Sequence, residues 1–185
     1  MKYFVHAVIL ASALVMFSCG NKKVSDKPDA DTVLAADENI QNGVIQMERS
    51  VVEDTAVWKG ATYKYKIERV PDSLLPQVKD AETDNVYMDN SISLSIMHGD
   101  KEIFNHKFTK DDFKSYLDAG FQKNGILEGF VFDQALPQGL RFATSVSYPA
   151  SDLYIPLVVL VSSNGSMTIT KDNLMDVGSE GDEAN

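Results

Sequence analysis

Between Tyr63 and Lys171 the chain repeatedly alternates apolar and polar side chains with a period of two, and this pattern constrains its fold more than any other feature. Successive side chains of a strand point to opposite faces, so such alternation buries one face and leaves the other wet. Tyr63-Lys64-Tyr65-Lys66-Ile67-Glu68 has that form, and Ser91-Ile92-Ser93-Leu94-Ser95-Ile96 repeats it. The turn residues His98-Gly99-Asp100-Lys101 follow, and Glu102 to Phe108 reads as a returning strand, so residues 91–108 are expected to form a hairpin. Ile126 to Asp133 and Leu140 to Tyr148 make a second pair of strands. Tyr154 to Ser162 is apolar almost throughout, as in a central strand covered on both faces. Asn164-Gly165, both tolerant of positive φ, then returns the chain into Ser166 to Lys171. Val44 to Trp58 alternates imperfectly and fits either one long strand or a strand with a bulge.

One helix is expected among the strands. Thr109-Lys110-Asp111-Asp112 has the form of a cap with an acid three residues on, Phe113, Tyr116, Leu117 and Phe121 fall at helical spacing, and Asn124-Gly125 supplies a stop. Its aromatic stripe reads as core packing rather than a ligand groove. The expected fold is therefore mainly β, an antiparallel sandwich or open barrel with one packed helix over 110–123. The alternative is an α+β curved sheet wrapped on that helix.

The first residues have a different character. A single early charge, Lys2, precedes an apolar run from Tyr3 to Phe17 broken only by His6 and Ser12, and the run ends at Ser18-Cys19-Gly20. As a helix that run reaches roughly 22 Å, short of the ~30 Å hydrocarbon core of a bilayer, so it reads as a signal sequence over residues 1–18. The junction resembles the lipobox of bacterial lipoproteins, in which a peptidase cuts before the cysteine and acyl chains modify its sulfur and amino group. Cys19 is the only cysteine in the chain, so its lipidation would leave no thiol for disulfide, metal or nucleophilic work. Three acyl chains, as the resemblance implies, hold a protein at a bilayer lastingly, where one binds weakly.

Residues 19–42 are polar, free of aromatics and without sustained periodicity, which suits a flexible tether. Residues 43–177 then suffice for a single β-rich domain, and the Gly-, Ser- and acid-rich 178–185 reads as a disordered tail. The formal charge is −10, and removal of Lys2 with the leader makes it more negative still. So acidic a chain is a poor match for phosphate backbones. Nucleic acid is excluded as an expected partner, and contact with the membrane is expected through lipid rather than through a basic face.

Several segments carry a family likeness. They are Thr62-Tyr63-Lys64, the run from Val70 to Asp80, Phe108-Thr109-Lys110, Lys123 to Gly129, Ser145 to Pro149, and Tyr154-Ile155-Pro156-Leu157. Together they resemble uncharacterised lipoproteins of Bacteroidetes grouped as a domain of unknown function. The resemblance implies a Gram-negative envelope and a gut-type bacterial source. It brings no activity and no site residues.

The candidates for chemistry are few. Asp80, Glu82 and Asp84 place carboxylates at alternate positions, as a calcium loop does, but Asn85 stands where glycine is wanted and Ser91 where a bidentate glutamate belongs. A solvated acidic loop is the better reading of 80–84. Asp26, Asp29 and Asp31 lie in the tether and point to a metal even less. His98 and His106 remain once His6 has left with the leader, one near a turn and the other well down a strand beside Phe104 and Phe108, which suits packing better than joint metal ligation.

No G-x-S-x-G elbow is present, and Asn164-Gly165-Ser166-Met167 sits on a hairpin turn instead. Glu128 with Asp133, or Asp152 in its loop, supply carboxylates for glycoside cleavage, yet a five-residue spacing sends Glu128 and Asp133 to opposite faces of a regular strand. No catalytic residue, metal or cofactor is assigned. The expectation is a non-enzymatic, lipid-anchored envelope protein that binds a protein or small ligand or plays a structural part. The alternative is an envelope hydrolase of glycans or peptides. Gly20 suits outer-membrane sorting, and Asn21-Lys22-Lys23 lacks an acidic surface-export run, so attachment facing the periplasm is preferred over surface exposure.

Overall fold

The structure, a computed structural model, describes residues 38–41, 43–80 and 83–173. Cys19, the stretch read as a leader (1–18), most of the one read as a tether (19–42) and the one read as a tail (178–185) lie outside them. Of the described residues 61% are in strands and 10% in helices, so the fold is mainly β.

Two four-stranded antiparallel sheets make a sandwich. One has the order β3-β4-β7-β8, built from β3 (Ser50–Trp58), β4 (Ala61–Pro71), β7 (Asn90–His98) and β8 (Lys101–Phe108). The other has the order β12-β11-β10-β9, from β9 (Ile126–Leu136), β10 (Gly139–Ser147), β11 (Tyr154–Val161) and β12 (Met167–Lys171). The alternation explains the core. Tyr63, Tyr65 and Ile67 of β4 and Ile92, Leu94 and Ile96 of β7 pack against Leu140, Phe142 and Val146 of β10 and Leu157, Val159 and Val161 of β11. As its apolar run requires, β11 is internal to its sheet, and Val158 on its other face is also buried. Among the described residues the sheets do not close into a barrel.

The three expected hairpins form, with Gly99 and Gly165 in the left-handed region at their turns. At Gly165 the turn also brings the backbone against the Ile103 carbonyl of β8, where a Cβ would collide. Val44 to Trp58 is neither one strand nor a bulged one. It breaks at Glu48-Arg49 into β2 (Val44–Met47) and β3, which join different sheets.

A third, small sheet has the order β1-β2-β6-β5 and adds β1 (Glu38–Gln41), β5 (Val78–Lys79) and β6 (Val86–Tyr87). Its β2–β6 pair is parallel. β1 occupies the last residues of the stretch read as a tether. This sheet has its own apolar cluster, Val78, Tyr87 and Ile126 with Ile45 and Met47 against it.

The expected helix is two pieces, a 3-10 helix over Lys110–Tyr116 and α1 (Ala119–Asn124). Asp112 Oδ2 accepts the Thr109 N–H at 2.8 Å, the anticipated cap. The break follows from Asp118, whose carboxylate accepts the Phe121 N–H at 3.0 Å and so caps a new helix instead of continuing the first. The aromatic stripe still packs inward. Phe113 lies stacked beside Phe108 at 5.8 Å between centroids, and Tyr116 donates its hydroxyl to the Ile169 carbonyl of β12.

Candidate functional site

The small sheet, the two helices and the start of β9 meet at one end of the sandwich, where the buried polar residues Asp89, Asn90 and Ser91 lie. Asp89 closes the short link between β6 and β7. Its Oδ1 accepts the backbone N–H groups of Asn90 and Leu127, both at 2.8 Å, and its Oδ2 faces Lys110 Nζ at 3.4 Å. Lys110 donates in turn to the Gly125 carbonyl. Asn90 donates through Nδ2 to the Leu127 carbonyl at 2.8 Å, and its Oδ1 is buried without a protein hydrogen-bond partner. Burial pushes the Asp89 carboxyl up, while the Leu127 N–H, the Lys110 ammonium and the Asn90 N–H pull it down.

Asp89 borders a cleft of about 250 Å³ lined also by Gln77, Val78, Thr109, Lys110 and Gln122. On the other flank of β5 and α1 lies a second cleft of about 360 Å³, lined by Asp80, Thr83, Asn124, Tyr148, Ser151 and Leu153. Its loop is closed by the Tyr148 N–H on the Leu153 carbonyl at 2.9 Å, and the Leu153 N–H donates to Ser151 Oγ at 3.0 Å. Phe121 stacks on Tyr148 with centroids 4.3 Å apart and fixes the ring that lines this cleft. Ala150 of the same loop has φ +52°, a conformation that costs a side-chain-bearing residue of order 1 kcal/mol.

The carboxylates weighed for glycoside cleavage are not brought together. β9 carries two irregularities in its register with β10, and the residues passed over are Glu128 and Asp133. Asp133 is ion-paired to Arg141, whose other amino group donates to Asp172 at 2.6 Å, with Arg141 and Asp172 both buried. Glu128 lies near Arg69, which donates to its backbone carbonyl at 2.9 Å. Asp152 is exposed on the 148–153 loop. None of the three lines either cleft.

The two histidines are likewise apart. His98 stacks on Tyr63 at 4.7 Å, and His106 donates at Nε2 to Asp112 Oδ1 at 2.9 Å and packs its ring against Phe108. The 80–84 segment is the tip of the β5–β6 hairpin, where Asp84 pairs with Lys79 at 2.8 Å and the Thr83 N–H approaches Asp80 Oδ1. Residues 81 and 82 lie outside the described residues. At the last turn, Asn164 Oδ1 accepts the Ser166 N–H at 3.0 Å and so fixes the hairpin.

Asp89, Asn90, Lys110, Arg141 and Asp172 escape a reading by sequence pattern. For Arg141 a faint signal exists, a lone cation between Leu140 and Phe142 with Asp133 across the preceding turn.

The sequence pattern of a known family, described as Domain of unknown function (DUF4738), matches residues 29–169. The chain belongs to this family. No curated protein matches it. The DUF4738 region begins ahead of β1 and ends within β12, so it takes in the small sheet and all but the last two residues of the sandwich sheets.

Proposed function

We propose that this DUF4738 protein is a lipid-anchored envelope protein of a Bacteroidetes bacterium, and that its sandwich binds a ligand or partner rather than catalysing a reaction. The observation that carries the binding reading is the Tyr148 cleft. It combines a held aromatic ring and an apolar Leu153 with a carboxylate, an amide and two hydroxyls from three separate segments, the mixture that orients small polar ligands. Glycoside cleavage of the ordinary kind would need two carboxylates facing one cleft, and Asp133 is committed to Arg141 instead.

The anchor rests on Lys2, the apolar run and the Ser18-Cys19 junction, with attachment at the outer membrane facing the periplasm as the preferred arrangement. The test has two arms. Labelled fatty acid should enter the wild-type chain and not Cys19→Ala, which should leave the membrane fraction or stay unprocessed. A screen of small polar compounds by thermal shift should find ligands that raise the melting temperature of wild type and not of Leu153→Asp, a change at an exposed cleft residue. Unlabelled wild type would refute the anchor, and a screen without ligands, or with ligands indifferent to Leu153, would refute the cleft.

A further inference from the structure

Among the described residues, no lysine, arginine or histidine lines the Tyr148 cleft. The cations adjacent to it in sequence are engaged elsewhere: Lys79 pairs with Asp84 at 2.8 Å, and Lys123 lines the other cleft. An anion entering the Tyr148 cleft would meet the Asp80 carboxylate with no compensating charge, on a chain of net charge −10. The chemistry of the lining therefore selects a neutral or cationic occupant.

That lining joins a fixed ring to several neutral hydrogen-bonding groups. Tyr148 is held from two directions. Phe121 stacks on one face with centroids 4.3 Å apart, and the Tyr148 hydroxyl packs over Gly120, where a Cβ would lie 2.5 Å from the oxygen. The other face of the ring is left to the cleft. Asn124, half-buried at the end of α1, brings a carboxamide that is hydrogen-bonded to none of the described residues and offers donor and acceptor side by side. Ser151 Oγ accepts the Leu153 N–H at 3.0 Å and Thr83 Oγ1 the Asn85 N–H at 3.4 Å, so each hydroxyl keeps its own proton to donate.

We infer that this cleft, given the binding role proposed for it above, on which the assignment rests, takes a neutral saccharide. A sugar ring has an apolar C–H face that lies flat on an aromatic ring, and a rim of hydroxyls that both donate and accept. The face matches Tyr148 with Leu153 beside it, and the rim matches the accepting Asp80 carboxylate, the Asn124 amide and the two donating hydroxyls. A cationic amine would use only Asp80 and the ring, and would leave the amide and both hydroxyls desolvated and unpaired. The volume of about 360 Å³ lies near the lower end of ligand pockets, roughly 300–1,000 Å³, which suits a short saccharide.

Saturation-transfer NMR on the full chain in a sugar-free detergent tests the class, with affinities from titration. The probes are neutral hexoses, N-acetylhexosamines and disaccharides, then the uronic acids of the same hexoses, then primary and quaternary amines. Neutral sugars should receive saturation at their ring C–H protons, and the uronic acids and amines should not. Tyr148→Leu, which keeps an apolar contact for Phe121, should weaken neutral-sugar binding about three- to tenfold, and Asn124→Ala about fivefold. Asp152→Ala, exposed on the same loop but outside the cleft lining, should leave it unchanged. Circular dichroism checks that each variant is folded. Uronic acids or amines that bind wild type and not Tyr148→Leu, with no neutral sugar bound, would overturn the saccharide and leave the cleft a binding site. Neutral-sugar binding unaltered in whichever of Tyr148→Leu and Asn124→Ala folds would place the sugar elsewhere and overturn the assignment. A panel in which nothing binds would overturn the saccharide, and an empty thermal-shift screen beside it would overturn the binding role as well.

Discussion

At Arg141 a single guanidinium holds two carboxylates, and its loss should be among the costliest single changes in the domain. Asp172 is buried beside it, and Asp133 is partly so. Removing one partner of a buried ion pair leaves an uncompensated charge, at a cost of about 3–5 kcal/mol. Arg141→Met should lower the urea midpoint accordingly, and the double variant Arg141→Met with Asp172→Leu should recover part of the loss. Asp89 makes a subtler case. Asp89→Ala orphans the buried N–H groups of Asn90 and Leu127 and should cost about 3 kcal/mol, whereas Asp89→Asn keeps an acceptor for both and should cost less. Because burial raises its pKa, the folded chain binds that proton more tightly than the unfolded chain does. Its contribution to stability therefore falls as pH rises from the ordinary carboxylate range through the folded value. Urea titrations at several pH values should show wild type gaining on Asp89→Asn as the solution is acidified. These residues were illegible in the sequence for a physical reason. Asp89 and Asn90 stand in a row with Asp80, Asp84 and Asn85, and only the tertiary fold makes one buried and another solvated.

At the scale of elements, the hairpins were legible because period-two alternation and Gly-containing turns agree, and local consistency of that kind specifies strands. The two-residue strands β5 and β6 were not, since they have no room for alternation and owe their pairing to the Val78 and Tyr87 cluster. The helix was legible as a segment but not as two, because Asp118 can be either an exposed helical residue or a cap. Asp118→Ala should cost about 1 kcal/mol by denaturant unfolding, as the loss of an N-cap does. Glu128 and Asp133 were read on a regular strand, and the irregularities of β9 invalidate that counting. Gly139, at the start of β10, has a different constraint. A Cβ there would run into the Val161 backbone carbonyl of β11, which cannot rotate away as a side chain can. Gly139→Ala should therefore lower the melting temperature by the equivalent of about 1–3 kcal/mol, the usual cost of overpacking, while an alanine at Gly129, whose nearest neighbour is the Ser145 hydroxyl at 3.4 Å, should be far milder.

Across the whole molecule, the two apolar clusters are of very unequal size, and the difference should govern how the domain opens. The sandwich core draws on both large sheets and on Phe113 and Leu117 of the helical segment. The small sheet rests on Val78, Tyr87 and Ile126, with Ile45 and Met47 only partly buried, and its β2–β6 and β5–β6 pairings span two residues each. Local opening costs least where few apolar contacts and short ladders must be broken. Native-state hydrogen exchange should therefore find the amides of β2, β5 and β6 exchanging at lower free energy than those of β7, β10 and β11. Asp89 sets the limit of that opening, because it bonds the N–H of Leu127 in β9 and faces Lys110, and so ties the link from β6 to the sandwich. In Asp89→Ala the small sheet should exchange still faster while β10 and β11 keep their protection relative to the lowered global stability. Equal protection of the small sheet and the sandwich in wild type would mean that the two clusters open as one cooperative unit. Both clefts flank β5 and α1, and a separately opening small sheet would let a ligand in either one be felt as slower exchange in β5 and β6.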